Sequence, residues 1–140
     1  MAADFQDAWM RHKEDGDLLY AKERWANADH LYGLAVECGL KAVMRAMGMP
    51  VSSAGVPISR YHRVHLPDIW YVFHAFVSGT HAAGLLPFLS QSSPFDNWSV
   101  HQRYEPRSNF SQEIVDEHRM GLKEVEQLYC AGKRINADFF

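Results

Sequence analysis

Residues 24–44, RWANADHLYGLAVECGLKAVM, constrain the fold more than any other stretch of the chain. After the polar cluster Asn27-Ala28-Asp29-His30, the sequence stays apolar for about five helical turns, and only Glu37 and Lys41 interrupt it. One helical face carries Leu31, Leu34, Ala35, Cys38 and Ala42, and a second carries Tyr32, Val36, Leu40, Val43 and Met47. A helix apolar on two faces must be covered on two sides. Glu37 and Lys41 stand four apart with the acid first, the favourable order, and define the remaining polar line. Asn27 is the predicted N-cap, Asp29 suits the first turn, and Gly48 followed by Pro50 predicts the end. This segment is therefore expected to be the central rod of a bundle.

Its neighbours show the same periodicity. Phe5, Trp9, His12, Gly16 and Leu19 form one stripe, widened by Ala8 and Tyr20, and predict a first helix over 3–22. Gly16 costs about 1 kcal/mol relative to alanine inside a helix, so its presence predicts close contact with a neighbour. Pro67 is placed to start a third helix that runs to about Val77 on Ile69, Trp70, Phe73, Phe76 and Val77. Ser78-Gly79 breaks it, and a short helix is expected between His81 and Leu89 despite Pro87. Val115, His118, Leu122, Val125 and Tyr129 predict a last helix from about Ser111, stopped by Gly132. The tail from 133 carries Ile135, Phe139 and Phe140 as side chains able to dock. Between the helices lie a long loop over 49–66 and an irregular aromatic stretch over 90–110, in which Ser99 to Tyr104 reads as a short extended piece. The expectation is one all-α domain over 1–140, with its core at 3–132: an up-and-down helical bundle of four to five helices.

Composition narrows the functional classes. A hydrophobic content of 47% against 22% charged residues excludes a disordered chain, and a formal net charge of −3 gives no global pull toward nucleic acid or anionic membrane. No stretch reaches the roughly 18 apolar residues that a membrane span needs, and no signal-peptide core stands near the start, so a cytoplasmic location is expected. Cys38 and Cys130 lack any metal-ligand spacing and read as small buried hydrophobes in a reducing compartment. No Gly-rich phosphate loop, nucleophile elbow or Cys-x-x-Cys occurs. His12, His74 and His118 fall on apolar stripes, but Glu-x-x-His and His-Glu-x-x-His are both absent, so satisfied core histidines are expected, with no metal and no cofactor. Trp9, Trp25, Trp70 and Trp98 read as core and interface anchors.

In order along the chain, NADHLYGLAVECGLKAVM, HLPDIW from His65 to Trp70, and the dipeptide Arg103-Tyr104 ahead of the last helix resemble the segments of a HEPN domain, a family of small helical bundles. Ile69 stands where the family usually has Leu. The resemblance covers roughly residues 5–132. It implies a cytoplasmic helical bundle, often a homodimer, found in prokaryotic defence and toxin–antitoxin settings. Many such proteins are RNases with an Arg-x(4–6)-His motif, and others bind nucleotide or partner a nucleotidyltransferase. That motif normally opens the last helix; here, after Arg103 and Arg107, the next histidine is the distant His118.

Two Arg-x(4–6)-His matches occur elsewhere, Arg24 to His30 and Arg60 to His65, about the number that chance gives at this composition. RNA cleavage through the 2′-hydroxyl needs a base, an acid and a cation at the phosphate, which histidine and arginine supply. His30, in the first turn of the second helix, has a pKa that the helix dipole lowers. The basic stretch RYHRVH (60–65) offers phosphate charge and the Tyr61 ring, or is a solvated loop whose His65 caps the third helix. Arg103 either holds an anion in the groove beside the second helix or pairs with Glu37 or Asp29 while Tyr104 closes the bundle end; the pair is the expectation. Candidate ligand or anion-binding residues are thus Arg60, Arg103, Tyr104, Asp29, Glu37 and Lys41. The expected function is a non-catalytic interaction or nucleotide/RNA-binding module, dimeric through its first or last helix. The alternative is a metal-independent RNase using His30, His65 and Arg24.

Overall fold

The computed structural model describes residues 2–135. The Asp4 carboxylate accepts the backbone N–H of Asp7 at 2.9 Å and so opens the first helix, α1, over Phe5–Ala21. Trp9 and Gly16 on its inner stripe are buried. A Cβ on Gly16 would stand 2.8 Å from the Tyr32 ring, so the predicted close contact is real and made by that ring. Glu23, at a left-handed φ of 58°, then turns the chain straight into α2, Trp25–Ala46. This start precedes the predicted N-cap Asn27. Arg24 occupies the cap position with no side-chain hydrogen bond, because the tight turn at Glu23 has already aimed the backbone onto the helix path.

As expected, α2 is the central rod. Ala28, Tyr32, Ala35, Val36, Leu40, Val43 and Met44 are buried on both flanks, and α1, α3 (Asp68–Ser78) and α4 (Gln112–Ile135) all pack against it. Gly48 ends α2 as predicted. At φ 100° it lets its own N–H reach the Arg45 carbonyl at 3.0 Å while the Met49 N–H reaches that of Met44 at 2.9 Å, a Schellman closure.

The 49–66 loop is tightly tied. Val51 forms an isolated bridge with Pro57, and the Arg63 guanidinium donates to the carbonyls of Pro57 and Ile58 at 2.7 Å each. Pro67 takes the N-cap position rather than the first helical one, so α3 begins at Asp68. Residues Ala83–Phe88 form the expected short helix, wound as a 3₁₀ turn around Pro87, which has no N–H to donate. The stretch predicted as extended is instead a 3₁₀ helix over Val100–Tyr104. Ser99 and Gln102 close a capping box on it, an alternative to strand pairing that the local side chains supply by themselves.

In α4 all of Val115, His118, Leu122, Val125 and Tyr129 are buried. The helix does not stop at Gly132 but runs through it to Ile135; Ala131 and Gly132 themselves are buried against the bundle, which offsets the weak helical preference of the glycine. The beginning of the predicted tail is thus helix. Its docking through Ile135, Phe139 and Phe140 rests on side chains outside the described residues.

The result among the described residues is an all-α bundle of four α-helices, with 3₁₀ turns in the connections after α2. Among the described residues, no helix is long and apolar enough to cross a membrane. Both cysteines are free, and neither is the buried hydrophobe expected: Cys38 is half-buried, with burial pushing its thiol up to about 11, and Cys130 is exposed.

Candidate functional site

Two sets of polar residues gather along α2. The deeper one is closed to solvent. Asp29 is fully buried, and its Oδ1 lies 2.5 Å from Nδ1 of the equally buried His118 of α4. Its Oδ2 accepts the Gln102 amide at 2.8 Å, and its backbone carbonyl accepts the Trp98 indole N–H at 3.0 Å. On the far side of the ring, His118 Nε2 lies 2.6 Å from Asn97 Oδ1. Every polar atom of Asp29 that faces the interior thus has a partner, as a buried charge requires. Asp29 therefore presents no exposed polar atom: it ties α2 to α4 and to the 3₁₀ helix. His118 is the satisfied core histidine expected.

The second set surrounds Glu37, 8% exposed. Its carboxylate takes His65 Nδ1 at 3.0 and 3.1 Å and the Leu66 N–H at 3.2 Å, with the Lys41 amine 3.9 Å away. His65 thus turns its side chain to Glu37 instead of capping α3, and only its carbonyl serves that helix, accepting the Ile69 N–H at 3.0 Å. A carboxylate on Nδ1 fixes the ring and leaves the Nε2 edge of a side chain that is 55% exposed. Burial lowers the pKa of Lys41, with Glu37 acting the other way.

Two turns nearer the start of α2, the accessible groups are different. His30 is half-buried, stacked on Trp98 with ring centres 5.7 Å apart, and its Nδ1 is buried without a hydrogen-bond partner among the described residues. Burial first, and then the charge of Arg103, lower its pKa from the ordinary 6.5, while Asp29 and Glu37 act the other way. The direction is the one expected, and burial and a neighbouring charge both push toward a neutral ring. Arg103 forms neither of the pairs expected with Glu37 or Asp29, because those carboxylates are already held by His65 and Lys41 and by His118 and Gln102. It donates one bond to the Val100 carbonyl at 2.6 Å and lies over the Tyr104 ring at 4.6 Å. Tyr104 does not close the bundle end; it is 78% exposed.

His12 on α1 faces the same region, and its pKa is also lowered, by burial and then by Arg11 and His30 against Asp15 and Glu37. For both histidines the unfolded chain takes up a proton near pH 6.5 while the folded one resists, so stability is full above that pH and falls as acid is added. Unfolding by denaturant at pH 7.5 and pH 5.5 is expected to give the lower stability at the acidic value, with a smaller drop in His30→Gln. An equal drop in wild type and variant removes His30 from that account.

The other predicted residues lie elsewhere. Arg24 does not meet His30; it lines a pocket of about 440 Å³ at the start of α2 with Glu23, Trp25, Asn27, Glu105 and Arg107. Arg60 lies on its neighbour Tyr61, 5.2 Å from the ring centre, at an exposed edge of the long loop. His74 Nε2 lies 3.1 Å from the Ser90 carbonyl, a satisfied structural contact. Among the described residues, no group of three His, Cys, Asp or Glu side chains is arranged to hold a metal ion. Trp9, Trp70 and Trp98 are core residues as expected, whereas Trp25 is only half-buried. Asn97 and Gln102 went unnoticed in the sequence. The available signal was two polar residues, Asp29 and His118, at positions that periodicity assigns to the interior. Scanned against protein-family models, curated proteins and solved structures, the chain matches none of them.

Proposed function

We propose that the protein is a HEPN-like helical module that binds the phosphate of RNA or of a nucleotide at Arg103 and His30 and does not cleave it. The observation that carries this reading is an exposed guanidinium, without a carboxylate partner among the described residues, acting on a histidine whose ring is kept neutral beside two aromatic side chains. Arginine, a neutral ring and the exposed face of Tyr104 suit a phosphate and its base, while the buried Trp98 backs the His30 ring from inside. The distance between the two histidine sites argues against cleavage. His30 and Glu37, the anchor of His65, stand two turns apart, about 10 Å along α2, while acid and base must both reach oxygens of one phosphodiester. A homodimer joined through α1 or α4 and a nucleotidyltransferase partner in a toxin–antitoxin or defence setting belong to the same proposal. The exposed Met10 and Leu18 on α1 and Met120 on α4 support the first of these.

Incubation with labelled RNA in chelator separates the readings. The expected result is intact RNA, retained by the wild-type protein and bound about tenfold more weakly by Arg103→Ala, as loss of one charge-assisted contact implies. Cleavage that disappears in His30→Ala or His65→Ala would instead establish a metal-independent RNase. The carboxylate-oriented, exposed His65 is the observation that favours that second reading.

A further inference from the structure

The pocket at the start of α2 borders the Arg103–His30 site. Asn27, on its wall, lies one helical turn before His30, and Glu105 and Arg107 follow Arg103 by two and four residues. Arg24 and Arg107 face this space from opposite elements, and neither is in an ion pair or side-chain hydrogen bond among the described residues. Glu23 and Glu105 also line it. Two arginines beside two carboxylates do not make a simple anion trap. They suit a ligand that brings a phosphate together with hydrogen-bond donors. A nucleotide whose base carries an exocyclic amino group does this: guanidinium groups pair with phosphate oxygens, and carboxylates accept from an amino group of the kind cytosine presents at N4. Tyr104, between Arg103 and the pocket residue Glu105 along the chain, is largely exposed and already lies against Arg103, so it offers a platform for a neighbouring base.

We propose that this pocket is a second nucleotide subsite, so that the ligand is a single-stranded RNA crossing from Arg103 over Tyr104 to Arg24 and Arg107, with an amino-bearing base between Glu23 and Glu105. The inference rests on the phosphate-binding reading of Arg103 and His30 and names the ligand class within it. Three arginine–phosphate contacts on a single strand imply that log affinity falls with log salt at a slope of about −2, near −0.7 per contact.

Titration of the full chain with fluorescein-labelled hexa-adenylate, hexa-uridylate and AMP over a range of salt concentrations tests it. The hexa-adenylate is expected to bind more tightly than either other probe. Arg24→Ala and Arg107→Ala are each expected to weaken hexa-adenylate binding several-fold and to flatten the salt slope by about 0.7. Glu105→Ala is expected to narrow the preference for adenylate over uridylate. Binding of hexa-adenylate that depends on Arg103 yet keeps its affinity and slope in both arginine variants overturns the second subsite and leaves the first reading standing. AMP binding as tightly as the hexanucleotide also overturns it. Absence of any Arg103-dependent binding defeats the phosphate reading itself.

Discussion

Replacing Asp29 by alanine is expected to destabilise the protein by about 2–6 kcal/mol, because the buried groups of His118 and Gln102 that meet its carboxyl each lose their partner at a cost of roughly 1–3 kcal/mol. Asp29 and His118 are shut away from water, and two elements converge on the carboxylate, α4 through His118 and the 3₁₀ helix through Gln102, while Trp98 bonds the adjoining carbonyl. Alanine leaves an imidazole and an amide facing an empty, dry space. Domains of this kind are stable by only about 5–15 kcal/mol, so a large part of the margin is at stake. Asp29→Asn keeps the volume and can still accept from His118, but its amide then meets the Gln102 amide, a donor facing a donor. Gln102 cannot simply turn over, because its Oε1 already accepts the Ser99 N–H at 3.2 Å. A smaller loss, about 1–3 kcal/mol, is expected there. Urea unfolding of wild type, both variants, His118→Ala and the double variant measures these costs. Single-variant losses that simply add would show that no such pairing contributes to stability.

Gly33→Ala is the second large effect. Alanine is favoured over glycine inside a helix by about 1 kcal/mol, so propensity alone predicts a gain. Trp98 reverses the sign. A Cβ at position 33 would lie 1.9 Å from Cε2 of its indole and 2.2 Å from Nε1, closer than any real contact. The indole is only 1% exposed and cannot swing away without breaking its bond to the Asp29 carbonyl and its stack on His30. Overpacking of about 1–3 kcal/mol plus an orphaned buried N–H of about 1–3 kcal/mol, less the propensity gain of about 1 kcal/mol, leaves a net loss of roughly 1–5 kcal/mol. Gly84 supplies the contrast. A Cβ there meets nothing within 4 Å, so Gly84→Ala is expected to be neutral or mildly stabilising. Thermal unfolding followed by far-ultraviolet circular dichroism compares the two; a Gly33→Ala protein as stable as Gly84→Ala would mean that Trp98 does not sit on α2 in this way.

These two residues also mark where the sequence stopped being readable. Helical periodicity placed the stripes of α1, α2 and α4, because one residue every 100° turns burial into a repeating pattern that needs no knowledge of partners. It also placed the closure at Gly48, where the required backbone angle is a local property. The start of α2 was displaced by three residues and that of α3 by one, since the turn at Glu23 and the tied loop before Pro67 outweighed the preference of a single capping residue. Arg103 was matched to the wrong partners for a related reason. Opposite charge and an expected place beside the second helix made Glu37 and Asp29 available to it, but His65 and His118 reach those carboxylates first from other elements.

By itself, then, the chain determined that residues 27–46 are an enclosed helical rod and that the domain is built from helices around it. Hydrophobic burial repeats along a helix, and one strand of text records that repeat in full. Only the tertiary arrangement decided which polar groups satisfy each other inside and which stay free at the surface, because a hydrogen bond between residues 29 and 118 depends on where two helices meet and on nothing written near either one.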